Sequence, residues 1–106
     1  PKALGIHHVA HVETEHVLPS GDRLDVYFEL KDGTHIAIEV KPSTAPEQDV
    51  ARGIFQCVKY EATMKAIRQL ENESYAIQTY LVVGADITPT NQKIADELNV
   101  NVKVQK

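Results

Sequence analysis

Two short runs of the sequence carry acidic side chains that could hold a divalent cation. Asp25 lies in the run 24–30, and Glu39 lies in the run 34–41, which ends at Lys41. Carboxylate oxygens are ligands that Mg²⁺ and Mn²⁺ prefer, and such an ion polarises a phosphoryl oxygen and lowers the pKa of a bound water. Two acids with a lysine beside them therefore predict a metal site suited to phosphodiester hydrolysis.

The loop between the two runs decides whether these acids can meet. Both runs alternate apolar and polar residues, which predicts two strands joined by residues 31–33. A two-residue turn would mix apolar and polar residues on each face, whereas a three-residue loop with Gly33 in the left-handed conformation keeps the apolar residues together. That register sets Asp25 across from Glu39, with side chains that start about 5 Å apart. Lys41 follows on the same face.

The segment 9–18 also alternates and predicts a third strand, which ends at turn residues 19–21. That turn places Glu15 opposite Asp25 and brings a third acid towards the site. A four-residue turn that includes Asp22 is almost as plausible from the sequence, so it leaves the register of Glu15 open.

The rest of the sequence predicts the elements that must hold these strands in place. They are a helix that starts in the loop 42–47 and ends at about Asn72, a strand at 75–83, a second helix from Thr88 to about Asn99, and an edge strand at 100–104. Thr44 and Glu47 have the spacing of a capping box at the start of the first helix. The order strand, strand, strand, helix, strand, helix, strand predicts a mixed β-sheet flanked by helices, an α/β architecture.

The long helix shows two different flanks. Its predicted apolar stripe consists of Val50, Ile54, Cys57, Val58, Ile67 and Leu70. A polar and aromatic flank recurs at spacings of three and four and consists of Arg52, Gln56, Lys59 and Tyr60. Cys57 lies on the apolar stripe, which predicts a buried hydrophobic side chain and not a nucleophile. Gly53 costs a helix about 1 kcal/mol relative to alanine, so it indicates either close packing against the sheet or simple tolerance of a glycine.

Composition bounds the class of protein. The 106 residues, 42% hydrophobic and 25% charged, predict a single globular domain, and the start at Pro1 suggests a processed chain or a piece of a longer protein. The absence of an 18-residue apolar run argues against a membrane span, and a single cysteine without a signal segment predicts a cytoplasmic location. The net charge of −4 counts against a dedicated nucleic-acid binder. Acids gathered at a metal site account for part of that charge.

Three motifs follow one another in the order that a known nuclease family shows. They are Gly21 followed four residues later by Asp25, then Glu39-Val40-Lys41, then Gln56 followed four residues later by Tyr60. This pattern resembles the PD-(D/E)XK nuclease superfamily, and its last motif resembles the RecB-like and lambda-exonuclease-like branch. The resemblance implies a restriction-endonuclease-like fold.

The sequence departs from the family pattern at two places. The family core has a helix before its first strand, for which there is no room ahead of His8, so that helix is absent or lies upstream. Leu24 stands where the family name has proline.

The resemblance assigns roles to the acids and to the lysine. It implies that Asp25 and Glu39 bind Mg²⁺ or Mn²⁺, with the backbone carbonyl of Val40 as a further ligand. Lys41 would orient or activate the attacking water and offset charge. Glu15 is added as a further metal ligand from the strand register alone.

The resemblance also gives the helix a part in catalysis. Gln56, one turn from Tyr60, would position the lysine or the substrate phosphate. Arg52 matches no family motif, but it shares that flank and could bind phosphate.

The expected function is that of a metal-dependent nuclease acting on DNA, with a second copy or further domains of a longer chain as possible partners. A catalytically inactive nuclease-like module that binds nucleic acid or protein is the main alternative. A small α/β domain that serves only oligomerisation is a third. The sequence does not distinguish DNA from RNA, or cutting within a strand from cutting at its end.

Overall fold

The computed structural model describes the backbone of residues 9–17 and 23–106 and the side chains of residues 26–106. Its elements are β1 (Val9–Val17), β2 (Arg23–Leu30), β3 (His35–Lys41), α1 (Glu47–Leu70), β4 (Ile77–Val83), α2 (Pro89–Glu97) and β5 (Asn101–Val104). This order confirms the predicted α/β architecture. The predicted turn at 19–21 and the segment ahead of β1 lie outside the described residues.

The described strands form one mixed sheet in the order β1-β2-β3-β4-β5. The pairs β1-β2 and β2-β3 are antiparallel, whereas β3-β4 and β4-β5 are parallel. Parallel neighbours need a crossover connection, and α1 and α2 supply the two crossovers. The prediction that the last strand lies at the edge of the sheet is confirmed.

The hairpin of β2 and β3 has the predicted register. Val26 pairs with Ile38, and the backbone N–H of Leu30 donates to the carbonyl of Thr34 at 2.8 Å. Gly33 has φ +93°, the left-handed conformation that the three-residue loop requires. The strand pattern and one glycine were therefore enough to predict how these strands align.

The two faces of the sheet differ in what covers them. One face carries the buried cluster of Phe28, Ile36 and Ile38. The opposite face carries Glu39 and its neighbour across β4, Leu81. Leu81 packs with residues of both α1 and α2, so both helices cover the face on which Glu39 lies. Neither of these helices is long and apolar enough to cross a membrane.

The start of α1 differs from the predicted capping box. The N-cap residue is Pro46, with no side-chain cap, so Glu47 is the first helical residue and not the third. A capping box needs glutamate at the third position, where it can reach back to the N-cap N–H. The carboxylate of Glu47 instead accepts a hydrogen bond from the hydroxyl of Thr88 at 2.9 Å. The prediction for Thr44 and Glu47 is therefore wrong.

The buried side of α1 is also shifted from the predicted stripe. Ile54 and Cys57 are buried as predicted, but the line is completed by residues that the stripe did not include, namely Gly53, Tyr60 and Met64. Leu70 is 87% exposed. At roughly 100° per residue Leu70 lies on the opposite side of the helix from Ile54, which is why it cannot reach the sheet.

The start of α2 is built as the sequence predicts. The hydroxyl of Thr88 accepts a hydrogen bond from the backbone N–H of Asn91 at 3.1 Å, which caps the helix. Asn91 is buried, and its amide donates to the carbonyl of Glu47 at 3.0 Å. This bond fastens the first turn of α2 to the first turn of α1.

Candidate active site

Glu39 and Lys41 lie at the end of β3, on the face of the sheet that α1 covers. Glu39 is 7% exposed, and Lys41 is half-buried. Side chains two residues apart on a strand point to the same face. The predicted lysine and the predicted ligand therefore share one side of the sheet, with the helix above them.

The backbone register brings Asp25 to the same place. Leu30 and Thr34 form a hydrogen-bonded pair, and such pairs alternate with non-hydrogen-bonded pairs along an antiparallel ladder. Continued one step beyond the pairs that join β2 to β3, the register sets Asp25 opposite Glu39 at a non-hydrogen-bonded position. Cα atoms at such positions are only about 4.5 Å apart, and their side chains are at their closest. The side chain of Asp25 itself lies outside the described residues.

The register of β1 decides between the two alternatives for Glu15. Thr14 pairs with Val26, which puts Glu15 opposite Asp25. This is the register of the predicted turn at 19–21. The backbone therefore aligns three acids across three neighbouring strands, although the side chain of Glu15 also lies outside the described residues and its role as a ligand stays a prediction.

The backbone carbonyl of Val40 points towards the neighbouring strand β2, which carries Asp25. The carbonyl of Lys41 accepts a hydrogen bond from the N–H of Gly84, at the end of β4, at 3.0 Å. Successive carbonyls of a strand point in opposite directions, so that of Val40 points towards β2. This orientation fits the predicted ligand role and does not test it.

The residues of the Gln-x-x-x-Tyr motif lie on α1 in different surroundings. Gln56 is half-buried, whereas Tyr60 is 4% exposed and packs between the helix and the sheet against Tyr27 and Ala37. Tyr60 therefore has a packing role at this position. Its predicted action together with Gln56 stays a prediction.

Arg52 lies on the open flank of α1. Its side chain is 76% exposed, and a guanidinium nitrogen lies 3.1 Å from a carboxylate oxygen of Asp49. An exposed ion pair of this kind is worth at most about 1 kcal/mol and can exchange for another anion. The predicted contact with a phosphate is compatible with this position.

Cys57 lies at the centre of the helix–sheet contact and is 1% exposed. Burial, and then the negative charges of Glu39 and Glu61, raise the pKa of its thiol from 9.0 to about 12. A thiol with so high a pKa is not a nucleophile at neutral pH, in agreement with the sequence-based interpretation.

We expect Cys57 to react slowly with iodoacetamide in the folded protein. At pH 8 a thiol with an ordinary pKa is about one-tenth thiolate, whereas a pKa of about 12 leaves about one in ten thousand, so alkylation should be roughly 1,000-fold slower than in unfolded protein. Mass spectrometry with and without urea measures both rates. Because the folded-state pKa of the thiol is raised, its contribution to the free energy of unfolding should be constant below pH 9 and fall as the pH rises from 9 towards 12. Equal alkylation rates would contradict this environment.

A histidine at the other end of β3 was not singled out by the sequence. His35 Nδ1 forms a hydrogen bond with the hydroxyl of Tyr27, and its ring stacks on Tyr75 at a centroid distance of 3.8 Å. The rings of His35 and Tyr75 line a shallow cleft, together with Glu29 and Glu71. Strand alternation places His35 on the face of Glu39, but nothing in the sequence indicates the two tyrosines.

The acidic side chains are the groups of the candidate site that suit a hard cation. Among the side chains that the structure describes, no group of three or more histidine, cysteine, aspartate or glutamate residues could hold a metal ion. Glu39 is the one member of the predicted acidic set within that range, since Asp25 and Glu15 precede it. The backbone register and the chemistry of carboxylates fit Mg²⁺ or Mn²⁺.

Solved structures show what this arrangement resembles. A repair endonuclease from Pyrococcus abyssi matches 100% of the chain with a TM-score of 0.68 and 16% identity. The chain has the fold of this endonuclease. EndoMS bound to double-stranded DNA matches 89% of the chain (TM-score 0.59, 15% identity), and EndoMS in its apo form matches 92% (TM-score 0.56, 14% identity).

The similarity is one of structure and covers part of each neighbour. The chain spans 42%, 35% and 37% of the lengths of these three proteins. No family model matches the sequence, and no curated protein does either. At this level of sequence identity the comparison shows a shared fold and not shared catalytic groups.

Proposed function

We propose that this chain is the catalytic domain of a metal-dependent nuclease that hydrolyses phosphodiester bonds in DNA. The observation that carries the proposal is the strand register, which, continued one step beyond Val26 and Ile38, sets Asp25 opposite Glu39, with Lys41 next on the same face. The fold shared with repair endonucleases supports it. The resemblance of the three motifs to the PD-(D/E)XK superfamily agrees with both.

In this proposal Asp25, Glu39 and the carbonyl of Val40 hold Mg²⁺ or Mn²⁺, with Glu15 as a further acid. When bound, the ion supplies charge stabilisation at the phosphoryl oxygen and lowers the pKa of a water. The two carboxylates fix where that charge lies, because their backbone positions are set by the sheet. A rigid sheet holds such groups more precisely than loops would.

The basic and amide side chains act on the substrate. Lys41 donates hydrogen bonds that orient the attacking water and offsets negative charge on the phosphate. Gln56, half-buried on α1, supplies an amide that can position the phosphate or the lysine. Arg52 is exposed further along that flank and can bind the DNA backbone.

DNA is the proposed substrate because one structural neighbour, EndoMS, is solved with double-stranded DNA. A chain that spans less than half of each neighbour is proposed to act beside further domains or a second copy. The cytoplasmic location proposed from the cysteine content agrees with a nuclease acting on cellular DNA.

A second candidate function is a nuclease-like module that binds nucleic acid or protein without cutting. Two observations favour it, the net charge of −4 and the burial of Tyr60 in the helix–sheet core. In this case the acids and the lysine form a partly buried polar face with no catalytic role.

Cleavage of plasmid DNA distinguishes the two functions. We expect the protein to convert supercoiled or linear DNA to shorter products with Mg²⁺ or Mn²⁺, and to stop when EDTA removes the ion, because the carboxylates alone cannot stabilise charge on the phosphate. Gel electrophoresis of circular and linear substrates measures the rate and separates internal from terminal cutting. DNA binding without cleavage in either metal would favour the non-catalytic module.

A further inference from the structure

Gly53 occupies the point of α1 that lies directly above the end of β3. A β-carbon at this position would come within 2.8 Å of Cδ1 of Leu81, and within 3.2 Å of Cε and 3.5 Å of Cγ of Lys41. Carbon contacts under 3.0 Å essentially never occur in proteins, and 3.2 Å requires the neighbour to move. The stem of Lys41 therefore runs across the helix where glycine leaves room for it.

The space at Gly53 is shared by a rigid and a movable side chain. Leu81 is fully buried and packs with Ile54 and Cys57. Lys41 is half-buried at the end of its strand, so its side chain has space to turn away. A methyl group added at Gly53 would press hardest on Leu81 and would also displace Lys41, which has space to turn away. Because the ammonium is one bond from Cε, its position moves with the stem.

We propose that Gly53 is a positioning residue for Lys41, and that the missing side chain of this glycine guides the lysine beneath α1 and fixes its ammonium beside the acids of the site. The inference rests on the proposed function for its catalytic consequence, but the placement of the lysine is a structural claim of its own. It also explains why a glycine stands in the middle of a helix, where alanine is favoured.

The first test is the Gly53→Ala variant in the DNA cleavage assay. We expect kcat to fall about tenfold or more with KM changed less than about twofold, because small displacements of a catalytic group lower the rate more than they lower binding. The thermal midpoint should change little, since the better helix propensity of alanine opposes the crowding. Cleavage at the wild-type rate would overturn the proposal.

Two double variants separate the position of the lysine from core packing. Leu81→Val removes the atom that would lie closest to the new methyl group. The double variant Gly53→Ala with Leu81→Val therefore relieves the crowding in the core and should keep the loss of kcat. If Gly53→Ala alone does not fold, this double variant takes its place in the assay. Gly53→Ala with Lys41→Met should cleave no more slowly than Lys41→Met alone, because both changes act through one side chain. Recovery of activity with Leu81→Val would overturn the proposal.

A measurement that does not need activity keeps this inference separate from the proposed function. In a carbon–proton NMR spectrum of the lysine ε positions, Gly53→Ala should shift the signal of Lys41 and leave that of Lys31, at the far end of the hairpin, unchanged. If the wild-type protein does not cut DNA, the proposed function fails while this shift still supports the placement. An unchanged Lys41 signal would overturn the placement itself.

Discussion

Replacing Lys41 with methionine is expected to lower the rate of metal-dependent DNA cleavage by at least about 100-fold, while the protein stays folded. Removal of a single group that stabilises charge in a transition state typically costs a factor of about 10² to 10³. Methionine keeps an unbranched stem that can lie in the space beneath Gly53, so packing is largely retained. The assay is the initial rate of plasmid cleavage with saturating Mn²⁺, with circular dichroism as the check of folding.

The same hairpin offers a matched control for this variant. Lys31 lies in the loop between β2 and β3, is exposed, and carries the same charge at the opposite end of the strands from Lys41. Lys31→Met should therefore cleave within about twofold of the wild-type rate. Equal rates for Lys41→Met and wild type would remove the proposed role of the lysine, and a similar loss in both variants would point to net charge and not to position.

The register of the site was predictable because several independent signals agree. Period-two alternation fixed the faces of β2 and β3, and Gly33 fixed the loop, whose left-handed φ the structure confirms. A shift of one residue would have turned every apolar side chain to the other face. For the same reason the position of Asp25 opposite Glu39 follows from side chains elsewhere in the hairpin.

Other features were not predictable because they depend on tertiary contacts. The sequence did not show that α1 and α2 would cover the face that carries Glu39. It also did not show that Glu47 would bond to Thr88, more than 40 residues away, in place of a local cap. Helix periodicity identified Ile54 as buried, but it did not show which side of α1 faces the sheet along the whole helix. For this reason Leu70 was wrongly predicted to be buried.

The burial of Glu39 has an energetic consequence for the site. Glu39 as a whole is 7% exposed beneath α1, so this residue has lost most of its contact with water. Two carboxylates that share one site repel each other, which raises the free energy of the folded state. A second acid directly across the strand adds repulsion, which a divalent cation would relieve. The expected outcome is a domain that is more stable with metal than without it.

Mn²⁺ is accordingly expected to raise the midpoint of thermal unfolding of the wild-type protein, and this rise should be lost in Glu39→Gln. At a free metal concentration ten times the dissociation constant, binding to the folded state alone adds about 1.4 kcal/mol, which corresponds to a rise of roughly 5 °C or more for a domain of this size. Glutamine keeps the shape of the side chain and removes the charge that holds the ion.

The control for this measurement is Glu29→Gln, which removes a carboxylate from the same face of the adjacent strand at the far end of the hairpin from Glu39. It should keep the full metal-induced rise, because Glu29 lies at the opposite end of the strands from Glu39. A rise of equal size in Glu39→Gln would place the ion elsewhere, and no rise in the wild type with millimolar Mn²⁺ would favour the module that does not cut. The thermal measurement therefore tests the metal site even where no DNA is present, and together with Lys41→Met it separates loss of the ion from loss of the lysine.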